Sequence, residues 1–303
     1  MDIGNIYPPA LRHGDTVAIV SPAGKIEPCK VENAVLALQA EGWNVKIGRY
    51  ALGDKDGFSG TPQQRLSDLV WAFSDPEVKA VICSRGGYGA VHLLQDLETS
   101  LTPLATPKWL VGFSDISALH SWINHRGLVS IHGPMSKDIA KGTKEISVER
   151  MFQILRGDKT EFIFPSSPFD RPGLATGPLV GGNFSVIADL FGTPYNVIEP
   201  GTILFIEDLS EPIYKIQRVL YQLRLNGVLS QLGGLIVGQF TNYTPGIGYE
   251  TMEDMIYQMV EPYDYPVAMN LPCGHIDSNM PLILGAKITL RVTLAQNNSI
   301  VYW

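Results

Sequence analysis

Short apolar runs alternate with helical patterns along the first half of the chain. The run at residues 16–21 is rich in β-branched residues and ends in a Ser-Pro-Ala-Gly loop, after which Val31, Val35 and Leu38 follow the spacing of one helix face. Strands that alternate with helices of about 10 to 15 residues predict βαβ units and a mostly parallel sheet, so we expect a doubly wound α/β domain. The same alternation predicts strands at 45–47, 80–84 and 129–131 and helices at 63–73 and 88–97.

The second half of the chain has a different pattern. Proline and glycine cluster between Phe164 and Gly182, where no long helix can form, and this predicts a crossing between domains. We therefore predict an N-terminal α/β domain over 1–164, a linker over 165–178 and a smaller mixed α/β domain with a largely β end over 179–303. The elements predicted in this second domain are strands at 179–180, 202–206, 235–237, 282–284, 287–292 and 299–303 and helices at 184–191, 212–225 and 252–260.

One strand-turn-helix unit of the first half carries a candidate nucleophile. Residues 108–112 predict a buried strand and the apolar spacing after residue 115 predicts a helix, so Ser114 lies at the turn between them. A hydroxyl there is lifted out of the sheet, and the first helical N–H groups point at whatever binds in front of it. Serine followed by aspartate is also an ordinary helix N-cap, and the turn alone leaves that alternative open.

A glycine-rich loop at residues 85–89 follows another predicted strand. Its spacing matches neither GxGxxG nor GxxxxGK[ST], so nucleotide binding is not favoured. Paired glycines let the backbone approach a substrate and present an N–H group, which is the chemistry of an oxyanion hole. A tight turn that requires positive φ is the plainer interpretation, and it is compatible with that use.

An acid and a histidine of the second half are candidate partners of the serine. Glu207 ends an apolar strand, too early to cap the helix at 212–225, whereas Asp208 and Glu211 are expected to cap it. His275 lies in a loop that contains glycine and asparagine, a position where histidine is more often structural than catalytic.

The three residues Ser114, Glu207 and His275 follow the chain order of the α/β hydrolases, as nucleophile, acid and base. The chain order is compatible with a catalytic triad but does not by itself indicate one. Ile116 stands where a Gly-x-Ser-x-Gly elbow has its second glycine, so an ordinary α/β hydrolase is not expected.

Composition excludes several classes of protein. The 303 residues are 45% hydrophobic and carry a net charge of −7 without a run of Lys or Arg, which argues against a nucleic-acid partner. Three cysteines without CxxC spacing indicate neither a disulfide framework nor a zinc site. Since the chain also lacks a secretory signal pattern and any apolar run of about 18 residues, we expect a cytoplasmic protein.

Taken together, these short motifs resemble the LD-carboxypeptidase family of serine peptidases, which includes muramoyltetrapeptide carboxypeptidases and microcin immunity peptidases. The resemblance runs nearly end to end, and the ordered set is specific although each piece is short. The matching pieces are Val20 to Gly24, Arg85 to Gly89, Gly112 to Asp115, His132 to Pro134, Gly181 to Asn183, Phe205 to Asp208 with Glu211, Tyr214 and Arg218, and Gly274-His275 with Asn279 and Gly285.

The resemblance implies roles for residues of this chain. Ser114 would be the nucleophile, His275 the base and Glu207 its orienting acid, with backbone N–H groups of Asp115 and Gly87 forming the oxyanion hole. The family architecture implies a flavodoxin-like N-terminal domain that donates the serine and a C-terminal domain that donates the acid and the base. We add that Arg85 is a candidate partner for a substrate carboxylate, although it can equally brace its loop.

The activity implied is hydrolysis of the amide bond between an L-configured centre and a terminal D-amino acid, releasing D-alanine from murein tetrapeptides in peptidoglycan recycling. The implied mechanism needs no metal or organic cofactor. The expected partners are a small peptide substrate and a second copy of the chain, with no nucleic acid and no membrane. One alternative is a microcin-type immunity peptidase that cleaves a peptide-nucleotide amide, for which the loop at 243–249 offers aromatic residues. The other is a non-catalytic small-molecule-binding protein, since two α/β lobes also describe solute-binding proteins.

Overall fold

The computed structural model describes residues 6–101, 106–142, 144–158, 161–246, 248–294 and 296–302. Their contacts divide them into two compact units. The first unit comprises the described residues of Met1–Asp158 together with Met280–Ile283, and the second those of Lys159–Asn279 together with Leu284–Trp303. None of the helices within the described ranges is long and apolar enough to cross a membrane.

The strands and helices are numbered in chain order. The strands are β1 (Thr16–Val20), β2 (Asn44–Ile47), β3 (Val78–Cys83), β4 (Trp109–Gly112), β5 (Ser130–His132), β6 (Phe162–Phe164), β7 (Gly173–Asn183), β8 (Ile203–Leu209), β9 (Gly234–Thr241), β10 (Val267–Ala268), β11 (Leu282–Leu284), β12 (Lys287–Val292) and β13 (Asn298–Tyr302). The α-helices are α1 (Pro28–Ala40), α2 (Pro62–Ser74), α3 (Leu94–Ser100), α4 (Ser117–His125), α5 (Ser136–Ile139), α6 (Ile146–Leu155), α7 (Phe184–Ala188), α8 (Ile213–Leu225) and α9 (Met252–Val260). Short 3-10 helices cover Ala90–Leu93, Ser114–Ile116 and Leu229–Gln231.

The sheet of the first unit has the strand order β11-β5-β4-β3-β1-β2, and β1 to β5 pair in parallel. The order 2-1-3-4-5 within it is that of the flavodoxin-like fold. Helix α1 packs against α5, whereas α2, α3 and α4 pack against one another in turn, as expected for helices on the two faces of a doubly wound sheet. The predicted fold class of the first half is therefore confirmed.

Two strands of this sheet are buried along their whole length. All five residues of β1 and all four of β4 are buried, because helices cover both faces of a parallel sheet. Polar residues that alternated with apolar ones along these strands would therefore be buried as well.

The start of helix α2 is defined by its sequence. Pro62 occupies the first turn, and Thr61 and Gln64 form a capping box in which each side chain accepts from the other's backbone N–H.

Two predicted loops meet at the carboxyl ends of β1 and β3, where the strand order reverses. Ser84 N donates to Val20 O at 2.8 Å, and the hydroxyls of Ser21 and Ser84 lie 2.5 Å apart. Gly24 N donates to Gly86 O at 3.3 Å. Ligands of open parallel sheets bind at such a reversal, so the fold brings both loops to the expected position for a site.

The sheet of the second unit has the strand order β10-β9-β8-β7-β12-β13-β6. Strands β7 to β10 pair in parallel, whereas β12 pairs antiparallel with β7 and β13, and β13 with β6. Helices α7, α8 and α9 supply buried apolar residues to one core with the parallel strands. This is a mixed α/β unit with a β end, as predicted.

The unit boundaries differ from the predicted domain limits. Gly173 to Pro178, predicted as linker, are the first part of β7 and pair with β12. Strand β6, predicted within the first domain, pairs with β13 in the second sheet. Both strands are short or glycine-rich, and only their long-range partners make them strands, which no local pattern reveals.

Two helices also differ from their predicted limits. The predicted helix at 88–97 begins instead with a 3-10 turn at Ala90–Leu93, because Gly89 has φ 114° and ends the preceding loop. The helix predicted at 184–191 ends at Ala188, and the chain turns at Gly192 with φ 82°. Of the predicted strand at 299–303, residue 303 lies outside the described residues.

Candidate active site

Ser114 lies at a strained strand-to-helix turn. Strand β4 ends at Gly112, Phe113 is extended with φ −154°, and Ser114, with φ 64°, is the first residue of the 3-10 turn that leads into α4. The left-handed region costs a residue other than glycine about 1–2 kcal/mol. An N-cap residue has extended backbone geometry instead. The interpretation of Ser114 as an ordinary helix cap is therefore wrong, and a strained turn that presents its hydroxyl takes its place.

The turn forms without a second glycine because of Gly112. A Cβ on Gly112 would lie 2.9 Å from Ile116 Cγ2, so the isoleucine packs on the open face of that glycine. The strand and helix approach closely through one missing side chain instead of two. Ile116 is fully buried there, and the departure from the Gly-x-Ser-x-Gly pattern leaves the turn intact.

The glycine-rich loop contacts the same turn. A Cβ on Gly86 would lie 2.9 Å from Ser114 Cβ, 3.1 Å from Ser114 Oγ and 3.3 Å from Asp115 N. Gly87 follows with φ 121°. The absence of a side chain at residue 86 therefore leaves space beside the hydroxyl and the Asp115 N–H, where an oxyanion would need it.

The Asp115 carboxylate holds this loop in position. Its Oδ2 accepts a hydrogen bond from Ala90 N at 2.8 Å. Burial raises the pKa of Asp115, and the hydrogen bond from Ala90 and the charge of Arg65 oppose that rise. Asp115 thus offers both a backbone N–H beside Ser114 and a side chain that ties the glycine-rich loop to the turn.

Arg65 is a buried residue of the same network that sequence reasoning missed. Only 1% of it is exposed, and its Nη1 donates to Pro22 O and to Gly89 O, the latter at 2.8 Å. It therefore joins the loop after β1 to the loop after β3. The sequence does contain a signal for it: Arg65 lies four residues before Leu69, on the apolar face of α2. A charged residue on a buried face needs a specific partner, so its position indicates a buried hydrogen-bonding role.

Arg85 braces its own loop. Its Nε donates to Gly86 O and its Nη1 to Lys25 O, each at 3.2 Å. These contacts correspond to the second of the two roles predicted for Arg85. The side chain is exposed, and it also lines a pocket of the first unit.

Glu207 and His275 form a buried pair in the second unit. Glu207 lies on β8 with none of its surface exposed, and its Oε2 is 2.7 Å from His275 Nδ1. The side chain of His275 is 11% exposed. Burial raises the pKa of Glu207, and the hydrogen bond and charge of His275 oppose that rise. A carboxylate behind one ring nitrogen fixes the orientation of the imidazole and stabilises its protonated form.

Missing side chains make room for this pair. The register between β8 and β9 shifts between Ile206 and Asp208, opposite Gly238, whose Cβ would lie 3.2 Å from Glu207 Cβ. A Cβ on Gly274 would lie 2.9 Å from Glu207 Oε2, and Gly274 has φ 129°. The histidine loop thus reaches the acid only because residue 274 is glycine.

The histidine loop is itself fixed by hydrogen bonds. Gly274 N donates to Asn279 Oδ1 at 2.8 Å, and Gln239 N donates to Cys273 O at 2.9 Å. Thr241 Oγ1 donates to His275 O at 3.4 Å. His275 is therefore held on the end of β9, although sequence alone shows it only as a loop residue.

The neighbouring acids do not cap α8 as predicted. Asp208 accepts from Asn183 Nδ2 and from Ser185 N, each at 2.8 Å, so it serves the start of α7. Glu211, two residues before α8, pairs with Lys215 of that helix at 2.8 Å. Asp208 could not be assigned from sequence because β7 and β8 are neighbours only in the folded sheet.

The structure thus assembles two groups of predicted residues, each within its own unit. Ser114, Asp115 and the glycine-rich loop lie together in the first unit, and Glu207 lies against His275 in the second. Among the residues that the structure describes, no group of three or more His, Cys, Asp or Glu side chains has the spacing to hold a metal ion.

Comparison with known proteins assigns both halves of the chain. A model of the LD-carboxypeptidase N-terminal domain matches residues 17–133, and one of the LD-carboxypeptidase C-terminal domain matches residues 176–290. A Bacillus subtilis (strain 168) protein named "Probable murein peptide carboxypeptidase" is 36% identical over 297 residues, covering 94% of this chain and 92% of the relative. The chain belongs to the LD-carboxypeptidase family.

Two further proteins are similar to this LD-carboxypeptidase over most of its length. The murein tetrapeptide carboxypeptidase of Pseudomonas aeruginosa is 31% identical over 268 residues, covering 86% of this chain and 87% of the relative. The crystal structure of muramoyltetrapeptide carboxypeptidase from Oxalobacter formigenes superposes with a TM-score of 0.84 at 27% identity, covering 95% of this chain and 98% of that one. The chain is thus an enzyme of a carboxypeptidase family with its two-domain fold.

Replacing Gly86 with alanine is expected to lower the kcat of this LD-carboxypeptidase at least about 100-fold, since a displacement of the reacting group by about 1 Å has that cost. The new methyl group would meet Ser114 Cβ at 2.9 Å, so the serine or the loop must shift. Steady-state kinetics on a peptide substrate, with circular dichroism and thermal unfolding as the control for folding, check this. A folded Gly86→Ala enzyme with full kcat would contradict the close approach of loop and serine.

Proposed function

We propose that the protein is a serine carboxypeptidase that hydrolyses the amide bond between an L-configured residue and a terminal D-alanine in murein tetrapeptides, as in peptidoglycan recycling. The observation that carries the proposal is the fully buried Glu207 carboxylate at 2.7 Å from His275 Nδ1. A histidine held in this way is the base that a serine nucleophile requires. The substrate class is supported by the relatives named murein peptide and murein tetrapeptide carboxypeptidase.

The proposed catalytic groups come from both domains. Ser114 of the N-terminal domain attacks the scissile carbonyl carbon, and His275 of the C-terminal domain takes the hydroxyl proton. With Nδ1–H donated to Glu207, Nε2 of His275 is the basic nitrogen. The carbon–nitrogen bond then breaks, and His275 gives its proton to the amine of the departing D-alanine. Water, deprotonated by His275, hydrolyses the acyl-enzyme and restores the serine.

The negative charge on the substrate oxygen is stabilised by backbone donors in this mechanism. The N–H groups of Asp115 and Gly87 form the oxyanion hole, and the space beside Gly86 supports that assignment. One such donor contributes about 3 kcal/mol to the stabilisation of a transition state. The hydrogen bond from Ala90 N to the Asp115 carboxylate keeps the two donors in a fixed relation.

We also propose that the enzyme acts in the cytoplasm as a homodimer. All three cysteines are free, which is typical of proteins from a reducing compartment. The dimer is a prediction of the family resemblance, and sedimentation of the purified protein measures it.

The proposal is tested by offering the wild-type enzyme a murein tetrapeptide that ends in D-alanine, its epimer that ends in L-alanine, and an acyl-sulfamoyl adenylate. We expect D-alanine release from the first and turnover of the other two at least 100-fold lower. Labelling of Ser114 by a fluorophosphonate, located by mass spectrometry, should accompany it. Equal cleavage of the L-epimer would overturn the stereochemical part, faster cleavage of the adenylate would favour a microcin-type peptidase, and ligand binding without labelling would favour a binding protein.

A further inference from the structure

A pocket of about 380 Å³ lies within the first unit beside the glycine-rich loop. The mechanism proposed above makes no use of it. Four basic and two acidic side chains line the pocket. The basic residues are Lys25, Lys30, Arg85 and Lys137, and the acidic ones are Glu27 and Asp54.

Two of the four cations are already neutralised. Lys25 Nζ lies 2.7 Å from Asp54 Oδ2, and Lys30 Nζ lies 3.4 Å from Glu27 Oε1. Among the residues that the structure describes, Arg85 donates to the backbone carbonyls of Gly86 and Lys25. In the described ranges of the chain, no carboxylate oxygen lies within 4.0 Å of the charged nitrogens of Arg85 or Lys137. The pocket therefore holds two cations beyond its internal ion pairs.

These two cations are close to the nucleophilic turn. Lys137 Nζ lies 4.9 Å from the ring centroid of Phe113, the residue before Ser114. Arg85 precedes Gly86, whose Cβ position is 3.1 Å from Ser114 Oγ. The backbone ties the two cations together, since Lys137 N donates to Ser84 O at 3.1 Å. A peptide bound at Ser114 would have part of its length within reach of the pocket.

Lys137 is held as a desolvated cation. It is partly buried, and burial together with the charges of Arg85, Lys141 and Lys30 lowers its pKa, while Asp138 opposes that change. A cation that has lost water and gained like-charged neighbours is stabilised most by an anion. The Arg85 guanidinium can bind a carboxylate through two parallel hydrogen bonds, and the Lys137 ammonium can add a point charge beside it.

We propose that Arg85 and Lys137 form a binding subsite for a carboxylate of the substrate, with Lys137 as the residue that determines specificity. The inference rests on the proposed function and extends it to a charged group of the peptide. The two residues that flank the scissile bond of a tetrapeptide offer such a group in two places: the α-carboxylate of the terminal D-alanine, and a side-chain carboxylate when the third residue is diaminopimelate. Lysine at the third position would lack the second.

The test compares three peptides with the wild-type and Lys137→Met enzymes. The peptides are a diaminopimelate-containing tetrapeptide, its C-terminal amide, and its diaminopimelate side-chain amide. For the wild-type enzyme, amidation of the carboxylate that occupies the pocket should lower kcat/KM at least 10-fold, mainly by raising KM. For the Lys137→Met enzyme, the same amidation should lower kcat/KM less than 2-fold. The amide that is penalised in the wild type but not in Lys137→Met shows whether the bound carboxylate is that of D-alanine or that of diaminopimelate. Equal amidation penalties in the two enzymes for both amides would overturn the subsite.

A matched control and a binding measurement keep the result interpretable. Lys141→Met removes the same charge from a lysine that does not line the pocket, so its amidation penalties should equal those of the wild type. Thermal unfolding reports whether Lys137→Met is folded. If the wild type releases no D-alanine, the proposed function fails by itself, and calorimetric binding of the same peptides to Ser114→Ala, with and without Lys137→Met, decides the subsite. Binding that is absent or insensitive to Lys137 overturns it.

Discussion

Replacing Ser114 with alanine is expected to reduce the release of D-alanine by about 10⁴-fold or more, the cost of losing the nucleophile of a serine peptidase. The hydroxyl is the atom that forms the acyl-enzyme in the proposed mechanism, and no other group of the turn replaces it. The measurement is chromatographic quantification of D-alanine from a murein tetrapeptide. Ser67→Ala, which removes an exposed hydroxyl of α2, is the control and should keep full activity.

The same residue predicts a separate effect on stability. Ser114 has φ 64°, so Ser114→Ala keeps the backbone strain whereas Ser114→Gly relieves it. We expect the free energy of unfolding of Ser114→Gly to be about 1 kcal/mol higher than that of Ser114→Ala. Both variants should be inactive. Urea unfolding followed by tryptophan fluorescence measures this, because four of the five tryptophans lie in the first unit. Activity retained by Ser114→Ala would refute the mechanism, and equal stabilities would refute the strained turn.

The local pattern of the sequence predicts the first unit well. The predicted loops follow β1, β3 and β4, whose apolar runs are buried almost throughout. Ser114 could therefore be assigned to a strand-to-helix turn, and Glu207 to a strand instead of a helix start. The strained backbone at Ser114 was not predictable, because the left-handed conformation of a serine depends on Gly112 and Gly86 packing against the turn.

Long-range contacts account for what the sequence could not predict. Residues 280–283 belong to the first unit although they follow nearly all of the second, and β6 becomes a strand only through β13. His275 was a plausible base only through chain order and family resemblance, since its hydrogen bond to Glu207 joins residues 68 positions apart. Arg65 and Lys137 were missed for the same reason: each acts on loops that are adjacent only after folding.

Replacing Glu207 with glutamine is expected to lower kcat by about 10³ to 10⁴-fold while leaving the fold intact. A glutamine amide of the same shape can donate to His275 Nδ1, and the imidazole then carries its proton on Nε2, where it cannot accept one from Ser114. The carboxylate that stabilises the protonated ring is lost as well. Steady-state kinetics on the tetrapeptide measures the loss, with thermal unfolding as the check on folding.

Burial makes this substitution informative. Glu207 is fully buried and its pKa is raised by that burial, so removing its charge relieves a desolvation cost and stability should stay level or rise. Glu211→Gln removes the same charge four residues along the chain, from an ion pair with Lys215, and should alter kcat less than 2-fold. If Glu207→Gln kept kcat within 10-fold of the wild type, the buried pair would be a structural contact and His275 would need another orienting group. A large loss of kcat with increased stability would instead mean that the carboxylate is retained for catalysis at the expense of folding.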